Sequence, residues 1–381
     1  MKEIIRNIWL NAKNIPGWKS PRNIIVIEAD DYGSFRMPSK EVYNQLFKKN
    51  YISAGIHDKY DSIETVEDLS ELFKVLKTVQ DSEGNYAKIT PFFNPTNPDV
   101  YRIIDNNYNS YKYIDYHQVV KEQNIGDSIF DLWEEGIDLG IFKPQYHGRE
   151  HVNVPKLMEL LQSDNQIVKE SFEMGFYHPK LNEYKEYQNL RRAFYFDNEI
   201  EKNIIRDGLV EGFDIFEKIF KYKPTVFCPS NGTFHPDFKE VMIAKGIKTF
   251  VESGVRYIPK GNGKIDSERK FVFGVVDKHT NTINYPRNVT FEPSENKNAV
   301  KTALHEIEIA FRWRKPAVIA THRTNFSGRL DKTNRERSLD KLRILLLNIK
   351  SKWPDTLFLN SQELSSMIFS DLFKSERIKA K

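Results

Sequence analysis

The sequence of 381 residues predicts an α/β protein, a distorted (β/α) barrel of seven or eight units with loop insertions. Short apolar runs typical of buried strands recur at intervals too long for hairpins, and amphipathic helical patterns separate them. The chain is 39% hydrophobic with 26 Phe and 18 Tyr, which is enough for a large core. Because it shows neither an internal repeat nor a low-complexity linker, we predict a single domain over 1–381.

The elements can be placed from their apolar patterns and caps. The first strand, 24–29, precedes a helix capped by Ser39 and a second helix that opens on a capping box of Thr65 and Asp68. Further strands are predicted at 87–93, 139–145, 224–228, 247–251, 270–276, 282–286, 316–321 and 355–359. Further helices are predicted at 127–136, 154–162, 198–220, 236–245, 297–313 and 333–352. The aromatic segment 163–197 is expected to pack in the core, with a substrate platform as the alternative.

Some regions are expected outside the regular β/α units. We predict an N-terminal helical extension at 1–21, a barrel at 22–367 with insertions at about 50–85 and 99–126, and a basic C-terminal tail at 368–381. The insertion 99–126 is rich in Tyr and Asn without a clear period, which favours a surface excursion. In the extension one helical face collects Ile4, Ile5, Ile8 and Trp9. We expect this helix to pack on the domain, and a membrane-surface helix is the alternative.

The charge balance argues against nucleic acid as a partner. The 57 basic and 53 acidic residues leave a formal net charge of +4, without a long basic block. The single cysteine, Cys228, excludes an internal disulfide framework and fits a reducing compartment. Neither a signal peptide nor a run of about 20 apolar residues can be recognised, so we expect a soluble, cytoplasmic protein without a transmembrane segment. Weak membrane-surface association and the oligomeric state stay open.

Two adjacent carboxylates, Asp30 and Asp31, end the first predicted strand and are followed by Tyr32 and Gly33. A β-branched run that enters a Gly turn delivers them to the C-terminal mouth of the sheet, where α/β folds carry their active sites. Neighbouring strand residues point to opposite sides, so one carboxylate is expected to bind a metal while the other stays free as a base.

Two histidines, His147 and His151, follow the predicted strand 139–145. Residues four apart lie on one face of a helical turn, so the two imidazoles can bind one metal ion. For the pair alone, the alternative is that both are surface or hydrogen-bonded histidines. Their position after a strand places them at the same mouth as the two aspartates. Two histidines and one carboxylate leave room for water, as in a catalytic metal site.

Two further strand ends carry polar groups. His322 follows directly on the strand 316–321, where it is placed to titrate near neutrality and donate a proton. The alternative is a core histidine whose hydrogen bonds are satisfied within the protein. The run from Phe227 through Cys228, Ser230 and Asn231 leads a strand into a Pro/Gly turn. Such a turn can aim backbone N–H groups at an oxyanion, although most are merely turns.

In their order along the chain, these motifs resemble those of the NodB-homology polysaccharide deacetylases, carbohydrate esterase family 4. The segments 28–39 and 147–151 are most similar to proteins named as polysaccharide deacetylases of bacterial surface-glycan gene clusters. The likeness spans about 22–367. It implies a distorted (β/α) barrel and a divalent metal, usually zinc, held by one Asp and two His.

Carried over by position, the resemblance implies a role for each site residue. Asp30 becomes the general base and His322 the general acid, and the metal ligands are Asp31, His147 and His151. The oxyanion donor falls near Ser230 or Asn231.

The chain departs from the family pattern at the partner of the base. The family's middle motif usually begins with an Arg that orients the catalytic Asp, whereas Phe227 and Cys228 fill that region here. Arg149, Arg287 or Arg323 is expected to replace it, and for each an ordinary surface or salt-bridged arginine is the alternative.

The resemblance implies a metal-dependent hydrolase that removes an N-acetyl or other acyl group from a sugar in bacterial surface-polysaccharide biosynthesis. Its partner would be an acylated sugar, sugar nucleotide or glycan, and its cofactor a divalent ion, most commonly Zn. One alternative is an O-acetyl esterase or another carbohydrate-active hydrolase on the same metal site. The other is a catalytically inactive glycan-binding or assembly protein.

Overall fold

A curled, mainly parallel β-sheet forms a half-barrel at the centre of the protein, which confirms the predicted α/β class. The computed structural model describes residues 2–379 except 186, 187, 253, 270 and 278. The strands are β1 Ile24–Tyr32, β2 Ile89–Phe93, β3 Thr96–Pro98, β4 Tyr113–Asp115, β5 Gln145–Tyr146, β6 Val226–Phe227, β7 Thr249–Glu252, β8 Val255–Gly261, β9 Lys264–Arg269, β10 Val275–Asp277, β11 Thr282–Pro286, β12 Val289–Thr290, β13 Ala317–His322 and β14 Leu357–Phe358. The order across the sheet is β10-β11-β7-β6-β5-β2-β1-β13-β12, and β14 pairs with the start of β1.

Helices connect these strands and cover the sheet. They are α1 Lys2–Lys13, α2 Lys40–Lys48, α3 Ile56–Lys59, α4 Val66–Leu76, α5 Val100–Asp105, α6 Tyr116–Glu122, α7 Ser128–Asp138, α8 Val154–Gln162, α9 Gln166–Glu173, α10 Glu199–Phe220, α11 Pro236–Lys245, α12 Ala299–Arg312, α13 Lys332–Lys352 and α14 Ser361–Lys379. The predicted caps are confirmed. Ser39 accepts a hydrogen bond from the Val42 N–H at 3.2 Å, and Thr65 and Asp68 form the reciprocal capping box.

Strand β1 divides the core because its side chains alternate between two sides. Ile25 and Ile27 pack in the larger cluster, among the covering helices, while Ile24 and Val26 pack in a second cluster with side chains of α14. All nine residues of β1 are buried. Apart from the antiparallel pair β10–β11, the neighbours in the sheet run parallel. Polar residues at the carboxyl ends of these strands are therefore gathered at one mouth.

The segment 99–126, expected to be a surface excursion, is mostly exposed or half-buried but is more regular than expected. This segment forms α5, β4 and α6, and it buries Tyr116, Val119 and Val120 in the larger core cluster. Helices of only one or two turns contain too few apolar positions to establish a period, so the pattern went unrecognised. The aromatic segment 163–197 behaves as expected, because its aromatic side chains at 172, 176, 177 and 194–196 are buried.

Other elements differ from prediction in length or presence. The antiparallel pair β8–β9 was not predicted, although the Gly261-Asn262-Gly263 turn between its strands is a hairpin signal. Of the predicted strand 139–145 only Gln145 lies in a strand, β5, which ends at Tyr146. The segment predicted as a basic tail, 368–381, begins inside α14, where Ile368 is buried. In the described part of the chain, no helix has the length and apolar character needed to cross a membrane.

Candidate active site

A cavity of about 300 Å³ opens at the carboxyl ends of the parallel strands. Among the residues predicted for the site, those that line it are Asp30, Asp31, His147, His151, Asn231, Arg287 and His322. They lie on or just after β1, β5, β6, β11 and β13. Parallel pairing and the curl of the sheet thus bring together side chains that are far apart in the sequence.

Asp30 and Asp31 both line this cavity although they are neighbours in β1. The pairing of β1 with β2 shifts register between Ala29 and Tyr32, and Asp31 adopts a φ of 76°. In a regular strand Asp31 would point away from Asp30, which is what the sequence led us to expect. The left-handed backbone costs a non-glycine residue about 1–3 kcal/mol. The left-handed conformation of Asp31 directs its carboxylate into the same cavity as that of Asp30.

Asp31, His147 and His151 bring three potential ligand atoms together. Oδ1 of Asp31 lies 3.2 Å from Nε2 of His151 and 3.7 Å from Nε2 of His147. One ligand atom from each residue lies within 4.8 Å of the other two. Ligands about 2.0–2.2 Å from a tetrahedral zinc ion are roughly 3.3–3.6 Å apart. These three buried residues could therefore hold a small divalent ion.

Hydrogen bonds and burial determine which ring nitrogens of the two histidines are free to bind a metal. Nδ1 of His147 donates to the backbone carbonyl oxygen of Cys228 at 2.6 Å, which leaves the lone pair of Nε2 directed at the ligand cluster. Burial lowers the pKa of His151 to about 3, so this ring is neutral. Its Nδ1 lies 3.3 Å from Arg36, which can only donate, so the ring proton is on Nε2 in this arrangement and metal binding at Nε2 requires the other tautomer. The chemistry of the donor set thus fits a metal such as zinc.

Arg36 lies behind the ligand cluster and balances its charge. Its Nη2 is 3.2 Å from Oδ2 of Asp31 and 3.3 Å from Nδ1 of His151, and its Nε is 3.2 Å from Oδ2 of Asp61. Burial alone would raise the pKa of Asp31, but the charge of Arg36 together with the neighbouring histidines outweighs burial and holds that pKa well below the ordinary value. Asp31 is therefore an ionised carboxylate at neutral pH.

Arg287 is the arginine that contacts Asp30. Nη1 and Nη2 donate to the two oxygens of Asp30 at 2.7 and 2.6 Å, a bidentate pair. Nε donates to Glu28 at 2.7 Å, and Glu28 also accepts hydrogen bonds from the hydroxyls of Tyr285 and Ser361, each at 2.7 Å. Since Glu28 lies two residues before Asp30 on the same side of β1, Arg287 is clamped between two carboxylates and its orientation is fixed.

The pairing with Arg287 controls the ionisation of Asp30. Burial alone would raise the pKa of this carboxyl, but the charge and hydrogen bonds of Arg287 outweigh burial and hold the pKa below its ordinary value. Asp30 is consequently ionised at neutral pH. Its Oδ2 lies 3.9 Å from Nε2 of His322, so the carboxylate and the imidazole face each other across the cavity.

His322 is paired on its other side with Glu292. Nδ1 donates to Oε1 of Glu292 at 2.7 Å, and Asn325 donates to the second oxygen of Glu292 at 2.6 Å. Burial would lower the pKa of His322, but the charge and hydrogen bond of Glu292, with smaller contributions from Asp31 and Asp30, raise it to about 10. The ring is therefore an imidazolium at neutral pH and can donate a proton from Nε2.

The turn after β6 is tied to the segment that precedes α10. Asn231 has a φ of 52°, its carbonyl oxygen accepts from Nη1 of Arg192 at 2.6 Å, and its side chain donates to the Arg191 carbonyl oxygen at 2.7 Å. Arg192 also donates to Oγ1 of Thr233 at 3.1 Å. Asn231 and its neighbours 229 and 232 line the cavity, whereas the Ser230 side chain is buried. The hydrogen bonds on both flanks hold this turn in place.

Arg149 and Arg323 lie apart from the cavity. Arg149 pairs with Glu150 at 2.6 Å and with Glu211 at 2.5 Å. Arg323 is 1% exposed and pairs with Asp61 and with Glu64, each at 2.9 Å. Of the three arginines proposed from the sequence, only Arg287 lines the cavity and contacts Asp30.

Sequence reasoning missed several polar residues of this site, namely Glu28 and Arg36 beside the aspartates, His57 and Arg191 in the cavity wall, and Glu292 behind His322. Glu292 could have been recognised from the sequence by its position at the end of a strand. It follows the apolar run Val289-Thr290-Phe291 and precedes Pro293, so it is a strand-end carboxylate like Asp30. The strand β12 is only two residues long, which hid this pattern.

The structure has low similarity to several solved structures. A protein assigned as a polysaccharide deacetylase from Mycobacterium smegmatis has a TM-score of 0.43 and 11% identity, over 93% of this chain and 94% of that one. A protein assigned as a glycoside hydrolase or deacetylase from Parabacteroides distasonis has a TM-score of 0.47 and 10% identity, over 93% and 71%. Puue allantoinase has a TM-score of 0.44 and 11% identity, over 92% and 91%.

No protein-family model and no curated protein matches the chain. TM-scores below 0.5 at this identity carry no conclusion about activity. The function has to be inferred from the chemistry of the cavity itself.

Proposed function

We propose that this protein is a metal-dependent hydrolase that removes an N-acetyl or other acyl group from a sugar. One observation carries the proposal: two adjacent carboxylates in one cavity have separate partners. Asp31 lies with His147 and His151, whereas Asp30 is bound by Arg287 and faces His322. Metal binding and base catalysis are thereby assigned to different side chains.

The metal ligands in this proposal are Asp31, His147 and His151. A divalent ion held there, with zinc the expected one, would polarise an acyl carbonyl and lower the pKa of a bound water. Asp30 accepts the proton of the attacking water, and the bidentate pair with Arg287 keeps this carboxylate ionised and oriented. Because the Asn231 side chain holds its own turn, we assign oxyanion stabilisation to backbone N–H groups at Ser230 and Asn231.

His322 serves as the general acid. An amine is a poor leaving group until it gains a proton, and the imidazolium of His322 can donate one from Nε2. Glu292 keeps this imidazole protonated and holds its ring in place. A histidine that stays protonated at neutral pH suits an amide substrate, which is why we favour N-acetyl over O-acetyl groups. The motif resemblance further favours an N-acetylated sugar, sugar nucleotide or glycan of surface-polysaccharide biosynthesis.

The deciding experiment measures acetate release from N-acetylated sugars, sugar nucleotides and oligosaccharides, with O-acetylated sugars as a parallel panel. We expect turnover of N-acetyl substrates that a chelator abolishes and added zinc restores. Asp30→Asn should lose activity, while Asp164→Asn, at an exposed aspartate outside the cavity, should retain it.

Other outcomes separate the alternatives. Turnover of O-acetyl substrates alone would establish the esterase alternative, and metal binding without turnover on either panel would favour a glycan-binding protein. Activity that survives metal removal, or that Asp30→Asn leaves intact, would refute the mechanism.

A further inference from the structure

The N-terminal helix α1 packs on the protein mainly through polar side chains. Arg6 donates to Glu306 at 3.0 Å, His305 Nε2 lies 2.7 Å from Oδ1 of Asn7, and Trp313 donates to Asn11 at 2.9 Å. Asn14 accepts a further bond from Asn288 at 2.8 Å. Leu10 is buried on this same packed side, but Ile4, Ile5, Ile8 and Trp9 are left outside, whereas an amphipathic helix on a globular domain ordinarily buries its apolar stripe.

The outward side of α1 is a continuous row of large apolar side chains. Ile4, Ile5, Ile8 and Trp9 are 65%, 60%, 64% and 41% exposed, and they recur at helical spacing. The Trp9 ring contacts Phe271 with centroids 4.7 Å apart, and Val272 beside it is 44% exposed. We refer to these six residues as the apolar face. Single exposed apolar residues are common, but a contiguous patch of this kind marks an interaction site.

The surroundings of the apolar face carry an excess of positive charge. Residues 2–19 contain four basic residues, at 2, 6, 13 and 19, and one acidic residue, at 3. Lys13 donates to the backbone carbonyl oxygen of Asn288, and Lys315 donates to the carbonyls of Gly17 and Trp18. Glu306 offsets the charge of Arg6 and Glu3 offsets one more of the four, so the segment 2–19 with its ion pair retains a net charge of +2.

We propose that the apolar face docks the protein on an anionic lipid surface. Isoleucine side chains and an amphipathic tryptophan are suited to the boundary between headgroups and acyl chains, and nearby lysines and arginines are attracted to anionic headgroups. The polar contacts of α1 with α12 and its neighbours hold the helix in place for this purpose. The inference does not depend on the metal site or on the activity proposed above.

The test uses the full chain and vesicles of phosphatidylcholine with or without phosphatidylglycerol, in a co-sedimentation assay. We expect binding to the anionic vesicles that weakens as salt is raised. The double substitution of Ile4→Asp and Ile8→Asp should weaken this binding about tenfold or more, because charged side chains cannot enter the lipid interface. The matched control replaces Ile344 and Leu347, exposed apolar residues of α13, by Asp and should bind like the wild type.

Circular dichroism and the thermal midpoint show that each variant folds, since the substituted side chains point to solvent. Failure of the wild type to bind anionic vesicles would overturn the proposal, as would equal binding by the Ile4/Ile8 variant. A dimer seen by light scattering that the same variant dissociates, without vesicle binding, would instead identify the apolar face as a contact between two copies of the chain.

Discussion

Replacing Glu292 by Gln should convert His322 from an imidazolium to a neutral ring at neutral pH. The titratable and charged groups that face His322 are Glu292, Asp30, Asp31 and His57, and Glu292 makes the close contact at 2.7 Å. A glutamine amide has no charge. It also cannot accept from both His322 and Asn325, as Glu292 does with its two oxygens.

The magnitude follows from the two pKa values. With the pKa of His322 at about 10, roughly 99% of the rings are protonated at pH 8. At the ordinary value of 6.5 the protonated fraction at pH 8 is about 3%, so kcat should fall about 30-fold. Because the protonated form is the acid catalyst, activity is lost as pH rises through the pKa. The alkaline limb should therefore move from near pH 10 toward neutral pH.

The assay is the pH profile of kcat and kcat/KM for acetate release, on an N-acetylated substrate that the wild type turns over. Glu292→Asp, which keeps the charge, should restore part of the alkaline activity, and Glu295→Gln at an exposed position should change nothing. If Glu292→Gln keeps the wild-type rate at pH 8 and an alkaline limb above pH 9, the assignment of His322 as an acid held protonated by Glu292 is refuted.

Three further substitutions test the other parts of the site. Asp31→Asn should lower bound zinc from about one ion per chain to a small fraction, measured by elemental analysis after dialysis. Arg287→Met leaves Glu28 and Asp30 without their buried cation, so the free energy of unfolding in urea should fall by about 3–5 kcal/mol and activity at least about 100-fold. Arg323→Met should cost a similar amount of stability for the same reason, but with no loss of zinc, since this residue does not line the cavity.

A specific result would refute each of these predictions. Zinc retained at full occupancy in Asp31→Asn would remove that residue from the ligand set. An unfolding free energy in Arg287→Met within about 1 kcal/mol of the wild type would mean that the two carboxylates do not need their cation. Loss of zinc in Arg323→Met under native conditions would show that its ion pairs support the metal site.

Features that depend on residues close together in the chain were predictable. The helices α8 and α11 occur at the predicted residues, and the Thr65–Asp68 capping box is formed as expected. The strand-end positions of Asp30 and His322 could also be predicted, because a buried strand followed by a turn leaves a local pattern. Short elements such as α6 were missed since two turns cannot establish a period.

Contacts across the sheet could not be predicted in the same way. The arginine that binds Asp30 is 257 positions away in the sequence, and in the sheet four strands separate β11 from β1. It reaches Asp30 because the sheet is curled and its interior is crossed by side chains from distant strands. Phe227 and Cys228 fill the region where the resemblance suggests an arginine, but nothing local distinguishes Arg287 from Arg149 or Arg323 as a replacement.

The sequence by itself determined the α/β class, the helix caps and the set of polar residues at strand ends, since periodicity and capping act over a few residues. The tertiary structure alone decided that Arg287 orients Asp30, that Glu292 holds His322, and that a bulge with a left-handed Asp31 puts both carboxylates in one cavity. It also decided that α1 packs mainly through polar side chains and leaves Ile4, Ile5 and Ile8 exposed. These outcomes depend on strand order, register and sheet curvature, which are fixed by packing of the whole chain and leave no local pattern in the sequence.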